Sequence, residues 1–141
     1  MRLTEQSRYA LRVLAHCAAQ HPALAKVAAI AAVTGITEQN IFKLIKTLTR
    51  AGLVQTIRGP HGGVRLARSP NAIRVGQVIR AIEPRFQACG PLDRMMSEEP
   101  VSAVERELDR TIGRGIAAFM AKLDETSIAA LVAKTTAANA A

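Results

Sequence analysis

Cysteine is nearly absent, and with it most of what cysteine builds. Cys17 and Cys89 are the two in a chain of 141 residues. They are too few and too far apart for a disulfide scaffold or a zinc ribbon, which leaves them redox or packing roles. Aromatics are as scarce: there is no tryptophan, and the rings are Tyr9, Phe42, Phe86 and Phe119. That removes the stacking platforms on which binders of single-stranded nucleic acid depend. Apolar runs are broken by Lys, Arg or Thr well short of the roughly 20 residues a bilayer needs, and MRLTEQSRYA opens into helix-like sequence, not a signal peptide, so a cytoplasmic protein is expected. A glycine-rich phosphate loop in nucleotide-binding order, a Ser/His/Asp set and paired carboxylates are all missing, which argues against an enzyme. No metal site is expected either. His61 has no second ligand type at metal spacing, and the adjacent His16 and Cys17 point to different helix faces.

What is present is positive charge, concentrated in one part of the chain. Met1 to Glu83 holds 12 Lys/Arg against 3 Asp/Glu, whereas Pro84 to Ala141 holds 7 against 8. The net charge of +8 is therefore a surplus in front and near balance behind. A folded domain with so local an excess suits a polyanion, because each neutralised phosphate releases condensed counterion. With few rings to stack on bases, duplex DNA is the favoured partner. The 49% hydrophobic content suffices for a core without metal or disulfide staples.

The order of elements agrees with that partner. Thr4 to Gln20 spaces Tyr9, Leu11, Val13, Leu14, Cys17 and Ala18 as a helix, with Thr4 as N-cap and Ser7 a weaker alternative. Val27 to Thr34 forms a second helix, closed by Gly35 at a turn that requires positive φ. Thr37 caps a third, Glu38 to Ala51, with Ile41, Leu44, Ile45 and Leu48 inward and Gln39, Asn40, Lys43, Lys46 and Thr47 outward, ending at Gly52. Leu53 to Arg58 and Val64 to Leu66 pair as a hairpin around Gly59-Pro60-His61-Gly62-Gly63. A fourth helix follows at Val75 to Ile82. The result is a mainly α fold with a small β-hairpin, a winged helix-turn-helix.

Residues 84–100 form a loop with at most a short helical turn. Ser102 then caps a long helix whose apolar positions are Val104, Leu108, Ile112, Ile116, Phe119, Met120 and Leu123, a stripe that demands a partner. Gly113 and Gly115 each cost about 1 kcal/mol in a helix relative to alanine, which suggests close helix approach there. Thr126 caps a last short helix, Ser127 to Ala133, before a frayed tail. The chain divides into a DNA-binding domain at 1–83, a loop at 84–100, and a long helix with a short terminal helix at 101–141; the family resemblance given below implies that the loop is of sensor type and the long helix a dimerisation element.

The amides of Gln39 and Asn40 can bond bidentately to adenine, and Lys43 can reach guanine or phosphate. The plainer alternative, a solvated helix face, loses ground because a turn glycine, a cap and a wing surround it. Arg58 and Arg65 flank the wing loop, where an arginine can enter a narrow minor groove or clamp phosphate. His61 is a polar turn residue at the tip. Cys17, on an apolar face, reads as a small buried hydrophobe. A winged-helix adaptor that contacts other proteins through the same surface is the rival function, and it has no need of so many surplus cations.

Three segments carry a family resemblance: the opening MRLTEQSRYALRVLAHCA, the block ITEQNIFKLIKTLTRAGLVQTIRGPHGGVRLAR and the helix IRVGQVIRAIE. They resemble the bacterial winged-helix regulators typified by IscR, NsrR, RirA and CymR, the Rrf-two family, over essentially the whole chain. The resemblance implies a homodimeric regulator, usually a repressor, on a palindromic operator. It implies a third helix in the major groove, Arg58 in the minor groove, and dimerisation through the long helix at 102–123. Cluster-binding members carry three cysteines between the fourth helix and the long one, where this chain has Cys89 alone. The ligand that some members add near the start of the first helix corresponds to Arg8, which cannot ligate. One thiolate does not hold an iron–sulfur cluster, so no cofactor is expected; the disfavoured alternative joins Cys89 with Glu5, a histidine or a cysteine of the other subunit. Regulation then falls to a redox thiol at Cys89, whose sequence neighbours Arg85 and Arg94 would lower its pKa, to a bound molecule or partner protein, or to no sensing at all.

Overall fold

Helix α1, Glu5–Ala19, starts where Thr4 Oγ1 accepts the Ser7 N–H at 3.4 Å. Its inward row, Ser7, Ala10, Val13, Leu14 and Cys17, is buried, which makes it the helix around which the others assemble. The computed structural model describes residues 3–86 and 102–139. Helix α2 is Val27–Thr34, closed by Gly35 at φ 69 with its N–H on the Ala31 carbonyl at 2.9 Å. Helix α3 is Glu38–Arg50, capped by Thr37, and Gly52 at φ 68 turns the chain out of it. Strands β1, Val54–Ile57, and β2, Gly63–Leu66, pair antiparallel, with Gln55 opposite Arg65. Ala25 extends the ladder by exchanging both backbone hydrogen bonds with Val64 (2.8 and 2.9 Å), so the wing is pinned to the segment leading into α2.

A 3-10 turn at Pro70–Ala72 leads to α4, Val75–Ile82, and a second at Pro84–Phe86 follows it. Beyond Phe86 the expected loop, including Cys89, lies outside the described residues. Helix α5, Ala103–Asp124, opens with a reciprocal cap: Ser102 Oγ accepts the Glu105 N–H at 3.2 Å and Glu105 Oε2 accepts the Ser102 N–H at 3.1 Å.

The apolar stripe of α5 divides in two. Ile116, Phe119, Met120 and Leu123 pack with Val75, Ile79 and Phe86 of the same chain, and Phe86 meets the Phe119 ring at 6.3 Å between centroids. Val104, Leu108 and Ile112, one row at i, i+4 and i+8, stay 78%, 54% and 41% exposed. Of the two glycines at which close approach is expected, Gly113 is buried, whereas a Cβ built on Gly115 would meet nothing within 4 Å among the described residues.

The end of α5 is fixed to the head. Arg80 donates to both carboxylate oxygens of Asp124, at 3.2 and 2.5 Å, and side-chain space at Gly76 is filled by that carboxylate. Backbone bonds reinforce it: Val75 N–H to Thr126 O and Ile128 N–H to Ile73 O, both 2.9 Å.

The last helix departs from expectation. Helix α6 runs Ile128–Asn139, and Ser127, not Thr126, caps it by accepting the Ala130 N–H at 3.1 Å. Thr126 has its carbonyl committed to Val75, and Ser127 pairs with Arg74 as an isolated bridge. The helix also outlasts Ala133, because alanine carries the best helix propensity and Thr135 and Thr136 hydroxyls bond back to the Leu131 and Val132 carbonyls. Fully buried Ile128 joins the core of α1 to α4, a burial that contributes about 1.5–3 kcal/mol. So α6 packs on α1.

Candidate nucleic-acid interface

Helix α3 is sharply two-sided. Ile41, Leu44, Ile45 and Leu48 are buried, while Gln39, Lys43 and Lys46 are exposed in one outer row. Asn40 and Thr47 lie on its flank, half-buried, and the Thr47 hydroxyl is occupied with the Lys43 carbonyl at 3.4 Å. Arg50, four residues beyond Lys46 in the same row, is also exposed. Its spacing could have marked it from the sequence, because residues at i, i+4, i+7 and i+11 share a helix face. A cationic row of this kind, ending on an arginine, can follow a phosphate strand while its amides meet base edges.

The wing supplies the second surface. Arg58 follows the end of β1 and is exposed, as is His61 at the tip. Gly59 has φ 106, a conformation that L side chains rarely adopt, and the Gly62 N–H closes the turn on the Gly59 carbonyl at 2.9 Å. Arg65 is half-buried and donates across the ladder to Gln55 Oε1 at 3.4 Å. Of the arginines flanking the loop, Arg58 therefore reaches outward and Arg65 braces the hairpin. Lys26 was not legible in sequence: its Nζ donates to the Pro60 carbonyl at 2.8 Å, a meeting 34 residues apart that only the folded chain creates.

Few carboxylates accompany this charge, and one of them, Glu38, stands on α3 itself. Glu83 is buried, Glu5 pairs with Arg8 at 3.6 Å, and Glu38 stands in the first turn of α3, where a negative charge offsets the helix dipole.

The sequence pattern of Rrf2, described as an iron-dependent transcriptional regulator, matches residues 3–134. The chain belongs to the Rrf2 family. It is a DNA-binding transcriptional regulator with a winged-helix fold. Among curated relatives, the HTH-type transcriptional regulator NsrR of Bacillus subtilis (strain 168) is 34% identical over 133 residues, covering 94% of this chain and 90% of that one. Protein aau3 of Rhizobium meliloti (strain 1021) is 45% identical over 86 residues, 61% of this chain and 56% of that protein, so the similarity spans little more than half its length. Among solved structures, CymR (YrzC), the global cysteine regulator of B. subtilis, superposes with a TM-score of 0.70 at 27% identity, covering 95% of this chain and 98% of that one.

The family description implies iron, and the described donors do not fit it. Burial pushes the Cys17 thiol up to about 11, which keeps it protonated, whereas a metal ligand is a thiolate. Glu5 faces solvent, with Arg8 at 3.6 Å. Among the described residues, three or more His, Cys, Asp or Glu side chains do not gather anywhere. Cys89 lies outside the described residues. Among those residues, too, no helix is long and apolar enough to cross a membrane.

Proposed function

We propose that the protein is a cytoplasmic, non-enzymatic repressor that binds a palindromic operator as a homodimer. The observation that carries this reading is the exposed row Gln39, Lys43, Lys46 and Arg50 beside a glycine-tipped wing bearing Arg58. In this reading residues 1–83 form the DNA-binding head, 84–100 the sensor segment, and 101–141 the part that carries the dimer contact. Gln39, Asn40, Lys43, Lys46 and Thr47 meet the major groove, Arg58 the minor groove, and His61 and Arg65 support the wing on the backbone. Two half-sites about 10 base pairs apart, centre to centre, fit a two-fold dimer.

The test is selection of duplexes from a random library, followed by titration at two salt concentrations. Neutralisation of three or four phosphates per subunit gives a log-log salt slope near about −6. Arg58→Ala is expected to weaken the selected duplex by about 10- to 100-fold, most where the central minor groove is narrow. Binding indifferent to both sequence and salt would refute the function, and unchanged affinity in Arg58→Ala would remove its minor-groove role.

Regulation is assigned to Cys89 acting as an oxidisable thiol without a resident iron–sulfur cluster. Protein purified without oxygen is expected to be colourless, with one thiol titrating fast and one, Cys17, protected until unfolding. A visible absorption band or two protected thiols would reject this assignment.

A further inference from the structure

Between α3 and the wing lies a cleft of about 420 Å³ to which the proposed function gives no occupant. Its walls include Lys26 and Val27 at the start of α2, Phe42 of α3, and Ile57 and Arg58 of the wing. Phe42 is 58% exposed and Ile57 46%, so two large apolar side chains face water beside two cations. Among the described residues that line it, none is a carboxylate. The Lys26 ammonium is held at the wing tip by one bond to Pro60 and keeps two further N–H groups for another acceptor.

We propose that this cleft seats one sugar–phosphate strand of the operator, with deoxyribose packed on Phe42 and Ile57 and a phosphate on Lys26. The inference rests on the proposed placement of α3 in the major groove and the wing in the minor groove. Those two grooves are separated by a single backbone strand, so one strand has to cross the space between helix and hairpin. A strand carries anionic oxygens on one side and sugar C–H groups on the other. The cleft offers the matching pair, an ammonium and two apolar walls. Phe42 lies on the flank of α3 that turns toward the wing with Ile45, off the outer row of Gln39, Lys43, Lys46 and Arg50. It therefore meets backbone, not base edges, and acts as a positioning residue that fixes how deeply α3 enters.

Hydroxyl-radical footprinting of the full chain on a duplex it has selected tests this, because the radical attacks exposed deoxyribose C–H. One protected run of sugars per half-site is expected between the α3 and wing contacts, reopening in Phe42→Ala and in Ile57→Ser. Affinity should fall about tenfold in each variant, equally on duplexes whose thymines are replaced by deoxyuridine. Lys26→Gln should reduce the salt slope by about one per subunit. These side chains are exposed, so the substitutions spare the core. Sugars still protected in Phe42→Ala would overturn the proposal. So would an affinity loss that vanishes on deoxyuridine duplexes, since Phe42 would then read a thymine methyl. Failure of the native protein to select any duplex would instead bring down the function on which the cleft reading stands.

Discussion

Arginine in place of Leu108 is expected to leave the protein folded but monomeric, and to weaken its binding to a selected duplex by about a hundredfold or more. Leu108 is the middle of the exposed row on α5, between Val104 and Ile112. Apolar side chains of this size each gain about 1.5–3 kcal/mol on full burial, and three at helical spacing along one face match a second copy of the same helix related by a two-fold axis. The neighbouring face is polar, with Glu107 bridging Arg114 at 3.1 Å and Arg110 at 3.7 Å, pairs too exposed to drive association. A guanidinium at position 108 would have to lose its water inside such a contact, a cost far above what one rim charge returns. Leu108 is exposed and precedes buried Gly113 and the residues of α5 that pack on the head, so the head is expected to keep its fold. Sedimentation equilibrium reads the mass, circular dichroism the fold, and anisotropy the affinity. A variant that remains dimeric would place the contact elsewhere and would separate the operator model from this helix. Leu108→Ala should lie between the two, since it shortens the side chain without importing charge.

How much of this was legible in the sequence depends on how far apart the determinants lie. The caps at Thr4, Thr37 and Ser102 and the turn glycines Gly35 and Gly52 act within four residues, and the helices they bound agree with expectation to within a residue. The two-sided pattern of α3 is equally local: its buried row and exposed Gln39, Lys43 and Lys46 agree with expectation. Asn40 and Thr47, expected outward, sit half-buried on the flank, because helical spacing turns them well away from that row. The stripe from Val104 to Leu123 looks uniform in sequence. Only the placement of α4 and Phe86 against its second half shows that half to be spent inside the chain and the first half to be open. Helix α6 departs from the sequence expectation for the same reason. Its start is set by a ladder between residues 73–75 and 126–128, and no local signal announces that pairing. Phe42 and Lys26 gain meaning solely from the cleft they share with the wing. A ring amid polar residues on α3 has no reading until the hairpin stands opposite it.

Glu83 is the sharpest case, and a large stability effect is expected from it. Its side chain is 2% exposed, yet Oε1 accepts three hydrogen bonds from the start of α1: Thr4 N–H at 2.8 Å, Thr4 Oγ1 at 2.8 Å and Ser7 Oγ at 2.7 Å. Arg85 donates to Oε2 at 3.3 Å. Hydrogen bonds to a charged acceptor are each worth about 1.5–3 kcal/mol, and a buried donor left without one costs about 1–3 kcal/mol. Glu83→Leu should therefore destabilise by about 2–4 kcal/mol, while Glu83→Gln, whose amide oxygen can still accept, should lose about half of that. Burial alone would raise the Glu83 pKa, but the bonds from Thr4, Ser7 and Arg85 outweigh it and hold the carboxyl below the ordinary 4.5. A depressed folded-state pKa means that the unfolded chain takes up the proton first on acidification. The contribution of Glu83 is thus complete above the unfolded value and is lost as pH falls through the folded one. Urea unfolding from about pH 6 to about pH 3 should show the native protein losing more stability below about pH 4.5 than Glu83→Gln does. Parallel pH profiles would mean that the carboxylate's charge adds nothing to the anchor.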